Sequence, residues 1–310
     1  MSDTTSNSGQ AQTPTNPAAM PVRIGIIGGS GLGAALVGES GERHQIDTPF
    51  GRPSSTIIST HWNDVQVFLL QRHGDGHVFN PSAVPYRANI CALKMLGVTH
   101  ILASGATGSL REHIKPADLV VVDQIIDKTF KRANTFYERA AVHVEFAEPF
   151  CPVMRRWLID AAARLPEINV HTSGTYVCME GPAFSTRAES HLNRATGGDL
   201  IGMTAMPEAK LAREAELPYA LIALPTDYDC WKPHTGPGGQ ELLKEIIGNL
   251  RIATANSIRL IKEALADIST LQHSPSPATD ALKLGIWSDK SRIDRDEVAR
   301  LAVLWGRHFQ

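Results

Sequence analysis

The sequence predicts an α/β fold, one domain on a twisted, mixed but mostly parallel sheet flanked by helices. Three observations predict it. Short β-branched apolar runs recur along the chain, the first of them Val22 to Ile27 and ending in Gly28-Gly29-Ser30-Gly31. Stretches with apolar residues three and four apart lie between these runs. Glycine and proline punctuate the changes from one pattern to the other. Strands separated by helices form a sheet that helices cover on both faces.

Taken in order, residues 1 to 20 are polar and proline-punctuated, which predicts a disordered tail. The ordered domain spans 21 to 268. After the first strand, strands are predicted at Val65 to Leu70, His100 to Ala103, Leu119 to Val122, Thr175 to Met179 and Tyr219 to Leu224. Tyr86, Ile90 and Leu93 share a helical face that stops at Gly97. Val153, Trp157, Leu158, Ala161 and Leu165 form a second, stopped by Pro166. Thr186 with Glu189 reads as a capping box, and Pro207 suits the first turn of another helix. Leu242, Leu243, Ile246, Ile247 and Leu250 open a long one. Residues 269 to 310 form a linker, with SPSPATD (274 to 280) as its loop, and a C-terminal helical extension. There Asp294 caps a helix with the apolar stripe Val298, Leu301, Ala302 and Trp305, which must pack on the domain or on a neighbouring subunit.

Composition narrows the function. The chain has 310 residues, 43% hydrophobic and 20% charged, with a formal net charge of -2. No basic block offers a nucleic-acid surface, and no apolar run is long enough to span a membrane. The N-terminal stretch lacks the basic start and apolar core of a signal peptide, so a cytoplasmic location is expected. Four scattered cysteines with no CxxC pair predict core thiols, with neither a disulfide framework nor a zinc site.

In an open α/β sheet, ligands bind beyond the carboxyl ends of the strands. There the sequence places Ser30 in a glycine loop able to receive an anion. Beside it come Arg72 and His73, then the small-residue run from Ser104 to Ser109, then Met203 and Thr204. Asp227 and Asp229 follow the last strand. Two close carboxylates resist ionising together, so one tends to keep its proton. Each piece also has an ordinary reading: the glycine loop fits the loose dinucleotide fingerprint, though Asp47, at about the right distance for a ribose partner, sits in a turn-like segment, and the aspartates could form a solvated turn. A dinucleotide oxidoreductase, a nucleoside-binding protein without turnover and a nucleosidase using water stay open at this point.

The motifs IGIIGGSGL (24 to 32), DTPFGRPS (47 to 54), RHG (72 to 74), GSLREHIKPADLVVVDQIID (108 to 127), AEPFCP (147 to 152), EGPAFSTRAES (180 to 190), GMTAMPEA (202 to 209) and TDYDCW (226 to 231) run collinearly through the chain. In them it resembles the S-methyl-5'-thioadenosine phosphorylase family, a branch of the trimeric purine nucleoside phosphorylases. The resemblance implies the nucleoside phosphorylase fold, a homotrimer, and phosphorolysis of 5'-methylthioadenosine, with adenosine or another 5'-modified purine nucleoside as the alternative. It implies inorganic phosphate as co-substrate and neither metal nor organic cofactor. It places phosphate on Ser30, Arg72, His73, Ala106 and Thr204, and the ribose over Met203. Phe184 and Ser185 would line the nucleoside, Asp227 would face N7 of adenine, and Asp229 the 6-amino group. His143 would serve the 5' pocket of the adjacent subunit, and Leu243 would supply an apolar contact there. Two positions depart from the family pattern. Gly238 and Gln240 stand where apolar residues are usual, and Gly105 where some members place a phosphate-touching threonine.

Overall fold

The computed structural model describes residues 21–35, 39–233 and 239–309. The expected tail at residues 1 to 20 and Gly238 lie outside them. The strands are β1 (Arg23–Gly28), β2 (Glu42–His44), β3 (Ile57–Trp62), β4 (Val65–Gln71), β5 (His100–Ser109) and β6 (Leu119–Val121). They continue with β7 (Gln124–Lys128), β8 (Val170–His171), β9 (Thr175–Met179), β10 (Leu200–Gly202) and β11 (Tyr219–Tyr228). One sheet joins them in the order β2-β3-β4-β1-β5-β10-β9-β7, with β11 on the other edge of β5, followed by β6 and β8. The ladders β1–β4, β1–β5, β5–β11, β9–β10, β7–β9 and β6–β8 are parallel. Both faces are buried, so alternate residues of β11 enter different cores: Leu221 and Ala223 one, Ala220, Ile222 and Leu224 the other. That is why this strand reads as an unbroken apolar run.

The helices are α1 (Leu32–Ala35), α2 (Tyr86–Met95), α3 (Pro152–Ala162), α4 (Arg187–Ala195), α5 (Ala205–Glu214) and α6 (Gly239–Leu265), then α7 (Ser269–His273), α8 (Arg295–Arg300) and α9 (Ala302–Trp305). Gly97 ends the α2 segment at φ +75°, a conformation that glycine adopts without Cβ strain. The Thr186–Glu189 capping box forms at α4. Met206, just before Pro207, is extended at φ −111° and ψ 138°, so the regular part of α5 starts at the proline.

β5 is the hinge of the topology. Its first half pairs with β1 up to Gly28↔Ser104, and its end pairs with β10 at Ile201↔Gly108 and Leu200↔Ser109. Between these, Gly105, Ala106 and Thr107 have no strand partner on that edge among the described residues, while β11 continues along the other. The sheet is therefore split where β1 ends and β10 begins, and the split is the crevice that a reversal of strand order creates.

Two expectations for the C-terminal extension need correction. SPSPATD is no open linker: Ser276 caps a 3-10 turn at Pro277–Asp280, and Ala278 is buried. The last apolar stripe is also shifted. The helix breaks at Leu301 (φ −105°, ψ 20°), so Leu301, Leu304 and Trp305 are buried while Ala302 is exposed. The surface they cover is the chain's own. Trp305 stacks on Tyr137 at 4.6 Å, and Arg307 donates to buried Glu216 at 2.9 Å.

Candidate active site

The crevice is built from backbone first. Gly29 N–H donates to Ser104 O at 3.1 Å, which holds the glycine loop against the split in β5. Arg72, the residue after β4, is wholly buried in this corner. Its Nε and Nη2 each lie 2.8 Å from an oxygen of Glu208 on α5, and Nη1 donates to Ser104 O at 2.8 Å. Burial opposes its charge, but the Glu208 carboxylate more than offsets this and raises the pKa. A Cβ on Gly29 would lie 2.7 Å from Nη1, and one on Gly105 would lie 3.8 Å from Nη1 and 3.4 Å from Thr204 Oγ1. Glycine at both positions leaves the guanidinium and the Thr204 hydroxyl facing common space. Gly28, Gly29, Ser30, His73 and His77 line a cleft of about 290 Å³ here.

His73 is a neutral group in this cleft. Burial and the Arg72 charge push its pKa down to about 4. Its Nδ1 lies 2.8 Å from Phe79 O. A carbonyl only accepts, so Nδ1 carries the proton and Nε2 is left as an acceptor. The ring stacks on His77 at 4.2 Å.

The carboxylates stand at the end of β11, past a register shift between Pro225 and Asp227 that re-aims the strand. Thr226 is fastened from both sides: its hydroxyl donates to Asp227 Oδ1 at 2.7 Å, and its carbonyl accepts from Asn249 Nδ2 at 2.9 Å. Burial raises the Asp227 pKa, Asp229 and Glu245 push it the same way, and the Thr226 hydrogen bond opposes them. Asp229 is buried, and its Oδ2 has no hydrogen-bond partner among the described residues. Ser109 O, at the end of β5, accepts both Asp229 N–H at 3.0 Å and Trp231 Nε1–H at 2.8 Å. One strand thus carries the anion cleft at its middle and anchors the acid pair at its end.

A carboxyl whose pKa burial raises, at the end of β11, and an anion cleft beside neighbouring β5 suit transfer of a group from a basic leaving group to an anionic acceptor. Comparison with known proteins decides the lineage. Residues 23–266 match the model of the Phosphorylase superfamily. The chain belongs to that superfamily. It is 45% identical to the S-methyl-5'-thioadenosine phosphorylase of Thermosynechococcus vestitus over 94% of this chain and 100% of that one. A methylthioadenosine phosphorylase from an antarctic soil metagenomic library superposes with a TM-score of 0.84 at 44% identity, covering 92% of this chain and 99% of its own. A point variant of the Schistosoma mansoni adenosine/methylthioadenosine phosphorylase, in complex with methylthioadenosine, superposes with a TM-score of 0.77 at 37% identity, covering 86% and 99% of the two chains.

Within this superfamily scaffold, the remaining expected residues fall in different places. A Cβ on Gly181 (φ +69°) would lie 2.6 Å from Met203 Sδ, so the glycine lets the 181–186 loop lie against half-buried Met203. Ser185 O accepts from the Cys230 thiol at 3.3 Å, tying that loop to the aspartate loop. Phe184 on the same loop is 86% exposed, and Leu243 on α6 is 57% exposed. Gln240 is exposed on the first turn of α6. His143 is exposed, its N–H bonded to Gly285 O at 2.8 Å and its ring edge-on to Trp287, with no hydrogen bond to any of these groups.

Two buried ion pairs escaped sequence reasoning. One is Glu208 with Arg72. The other is Arg132 with Glu180, whose carboxyl pKa falls to about 2: burial opposes the charge, but hydrogen bonds from Ser82 and the amides of Phe130 and Lys131, and the Arg132 charge, outweigh it. Arg132 donates to Met203 O at 2.6 Å and to Glu180 O at 2.6 Å, joining the segments after β9 and β10. Glu180 and Glu208 were visible as lone charges inside the conspicuous EGPAFS and GMTAMPEA motifs. Arg132 sits in a charged loop and gave no signal.

Proposed function

We propose that this chain catalyses phosphorolysis of S-methyl-5'-thioadenosine, giving adenine and 5-methylthioribose 1-phosphate, as part of purine and methionine salvage. The observation that carries the reading is the placement of an anion cleft and a pair of aspartates on the two sides of β5. Breaking the N-glycosidic bond builds positive charge on the sugar and negative charge on the departing purine. Asp227, whose pKa burial raises, supplies a hydrogen bond or proton at N7. Asp229 accepts from the 6-amino group, which gives its unpartnered Oδ2 a donor. Phosphate, on Ser30, Arg72, His73, Ala106 and Thr204, attacks C1' and offsets the sugar's charge as it does so. His73 Nε2 can only accept, so it takes the hydroxyl of a protonated phosphate oxygen. Met203, Phe184, Ser185 and Leu243 form the apolar surroundings of ribose and 5' group, completed by His143 of a neighbouring subunit in a homotrimer. The reaction needs no metal or organic cofactor, and the enzyme is cytoplasmic.

Release of the free base, adenine from methylthioadenosine and adenosine and hypoxanthine from 5'-methylthioinosine, each with and without phosphate, tests this reading. Phosphate-dependent turnover led by methylthioadenosine is expected. Release without phosphate would make the chain a nucleosidase, and preference for methylthioinosine would overturn the assignment of the aspartates. Equal use of adenosine would confine the error to the 5' pocket.

A further inference from the structure

The Arg72–Glu208 pair has a consequence for how phosphate is held. A guanidinium has five N–H donors. Arg72 commits two to Glu208 and one to Ser104 O, and one remains on each terminal nitrogen. Nη1 is the guanidinium nitrogen nearest Gly105 and nearest Gly29, which lines the cleft. Both side chains of the pair are completely buried. Glu208 Oε1 also accepts the hydroxyl of Tyr219 at 2.8 Å, which fixes the carboxylate from the strand side. The cation behind the glycine wall of the cleft is therefore neutralised before any anion arrives, and its guanidinium plane is already fixed by three hydrogen bonds.

We propose that Glu208 is a positioning residue that tempers Arg72, so that the cleft holds phosphate by directed hydrogen bonds while leaving the phosphate its negative charge. This rests on the phosphorolysis reading. A lone buried arginine would attract phosphate more strongly, but it would stabilise the bound anion in the ground state and weaken its action as nucleophile and counter-charge to the sugar. An interaction stronger in the ground state than in the transition state lowers turnover. Net neutrality also removes the penalty of an uncompensated cation in the empty site.

The test is Glu208→Gln, which keeps shape and removes the charge. Steady-state kinetics should show phosphate KM falling about tenfold and kcat falling about ten- to a hundredfold, with nucleoside KM little changed. Phosphate alone should raise the melting temperature of the variant more than that of the wild type. A purely structural Glu208 predicts the reverse sign, because a loosened Arg72 binds phosphate less well. A rise in phosphate KM, or equal thermal responses, would overturn the proposal. If Glu208→Gln does not fold, Tyr219→Phe serves. Stripped of its hydroxyl donor, Glu208 pulls harder on Arg72, and phosphate KM should rise about two- to fivefold with kcat kept. An unchanged or lower phosphate KM there overturns it equally. Wild-type protein that releases adenine without phosphate would remove this inference and the phosphorolysis reading together. A wild type that requires phosphate, with a variant of the wrong sign, removes this one alone.

Discussion

On the anion side of the crevice, Arg72 and Glu208 are wholly buried and His73 and Thr204 nearly so, each held by the ends of strands or by α5. On the nucleoside side, Phe184 is 86% exposed and Leu243 57% exposed, one on a loop and the other on the first turns of α6. The contrast follows from what each half must hold. A charge in a low-dielectric corner is costly unless its partners are in place beforehand, so the anion half has to be assembled by the fold itself. An apolar side chain facing water is tolerable singly, and it gains about 25 cal/mol per Å² when something covers it. Under the proposed reading, the nucleoside half is the one left for a ligand to bury.

The sharpest way to break this comparison is Arg72→Ala. It leaves Glu208 buried without its cation, which should cost about 3–5 kcal/mol of stability. Phosphate-dependent kcat/KM should also fall by about a thousandfold, because an oriented donor to the reacting anion is lost. Denaturant melts and kinetics on one preparation measure both, and a variant as stable as wild type would mean the anion half is not prebuilt. Asp227→Asn should have a smaller effect, confined to chemistry and base choice. Turnover of methylthioadenosine should fall about a hundredfold or more, and the 6-oxo analogue should gain relative to it. With its pKa raised by burial, Asp227 loses its proton as pH rises, so wild-type activity should decline on the alkaline side. A pH–rate profile of Asp227→Asn that kept this limb would assign the acid elsewhere. The mildest change is Phe184→Ala. Its nucleoside KM should rise about three- to tenfold with phosphate KM unaltered, and stability should stay within about 0.5 kcal/mol of wild type. A large loss of stability would show that the open half is structurally committed after all.

The legibility of the sequence follows the same division. Strands buried on both faces, such as Val65 to Leu70 and Tyr219 to Leu224, announced themselves as apolar runs. Their functional continuations did not. β5 runs on through Ser104-Gly105-Ala106-Thr107-Gly108-Ser109, and β11 through Pro225 to Tyr228, where small and polar residues replace apolar ones beside the crevice. β8 and β10, two and three residues long, are too short to show a period. The site motifs were legible as motifs, and their gathering at one end of the sheet was expected because each follows the carboxyl end of a strand. What no pattern could give was the pairing of Arg72 with Glu208, 136 positions apart, or of Arg132 with Glu180, 48 positions apart. Such partners are chosen by tertiary geometry, and only their lone charges in apolar surroundings hinted that partners existed.

β5 meets β1 at Ser104 and supports the aspartate loop at Ser109. Five residues of extended chain span about 17 Å, and that distance is fixed by peptide geometry alone. The strand works as a ruler laid between the two parts of the crevice, which α6 also bridges: Asn249 holds Thr226 O, and Leu250 and Thr254 lie beside Gly31. If the tip of β11 faces the base as proposed, changes there can alter base choice while β5 keeps the spacing. A single inserted residue between Ser104 and Ser109 would lengthen the ruler and turn the following side chains to the opposite face at once. Substitutions at the tips should therefore diversify specificity readily over evolutionary time, while the length of this strand should resist change.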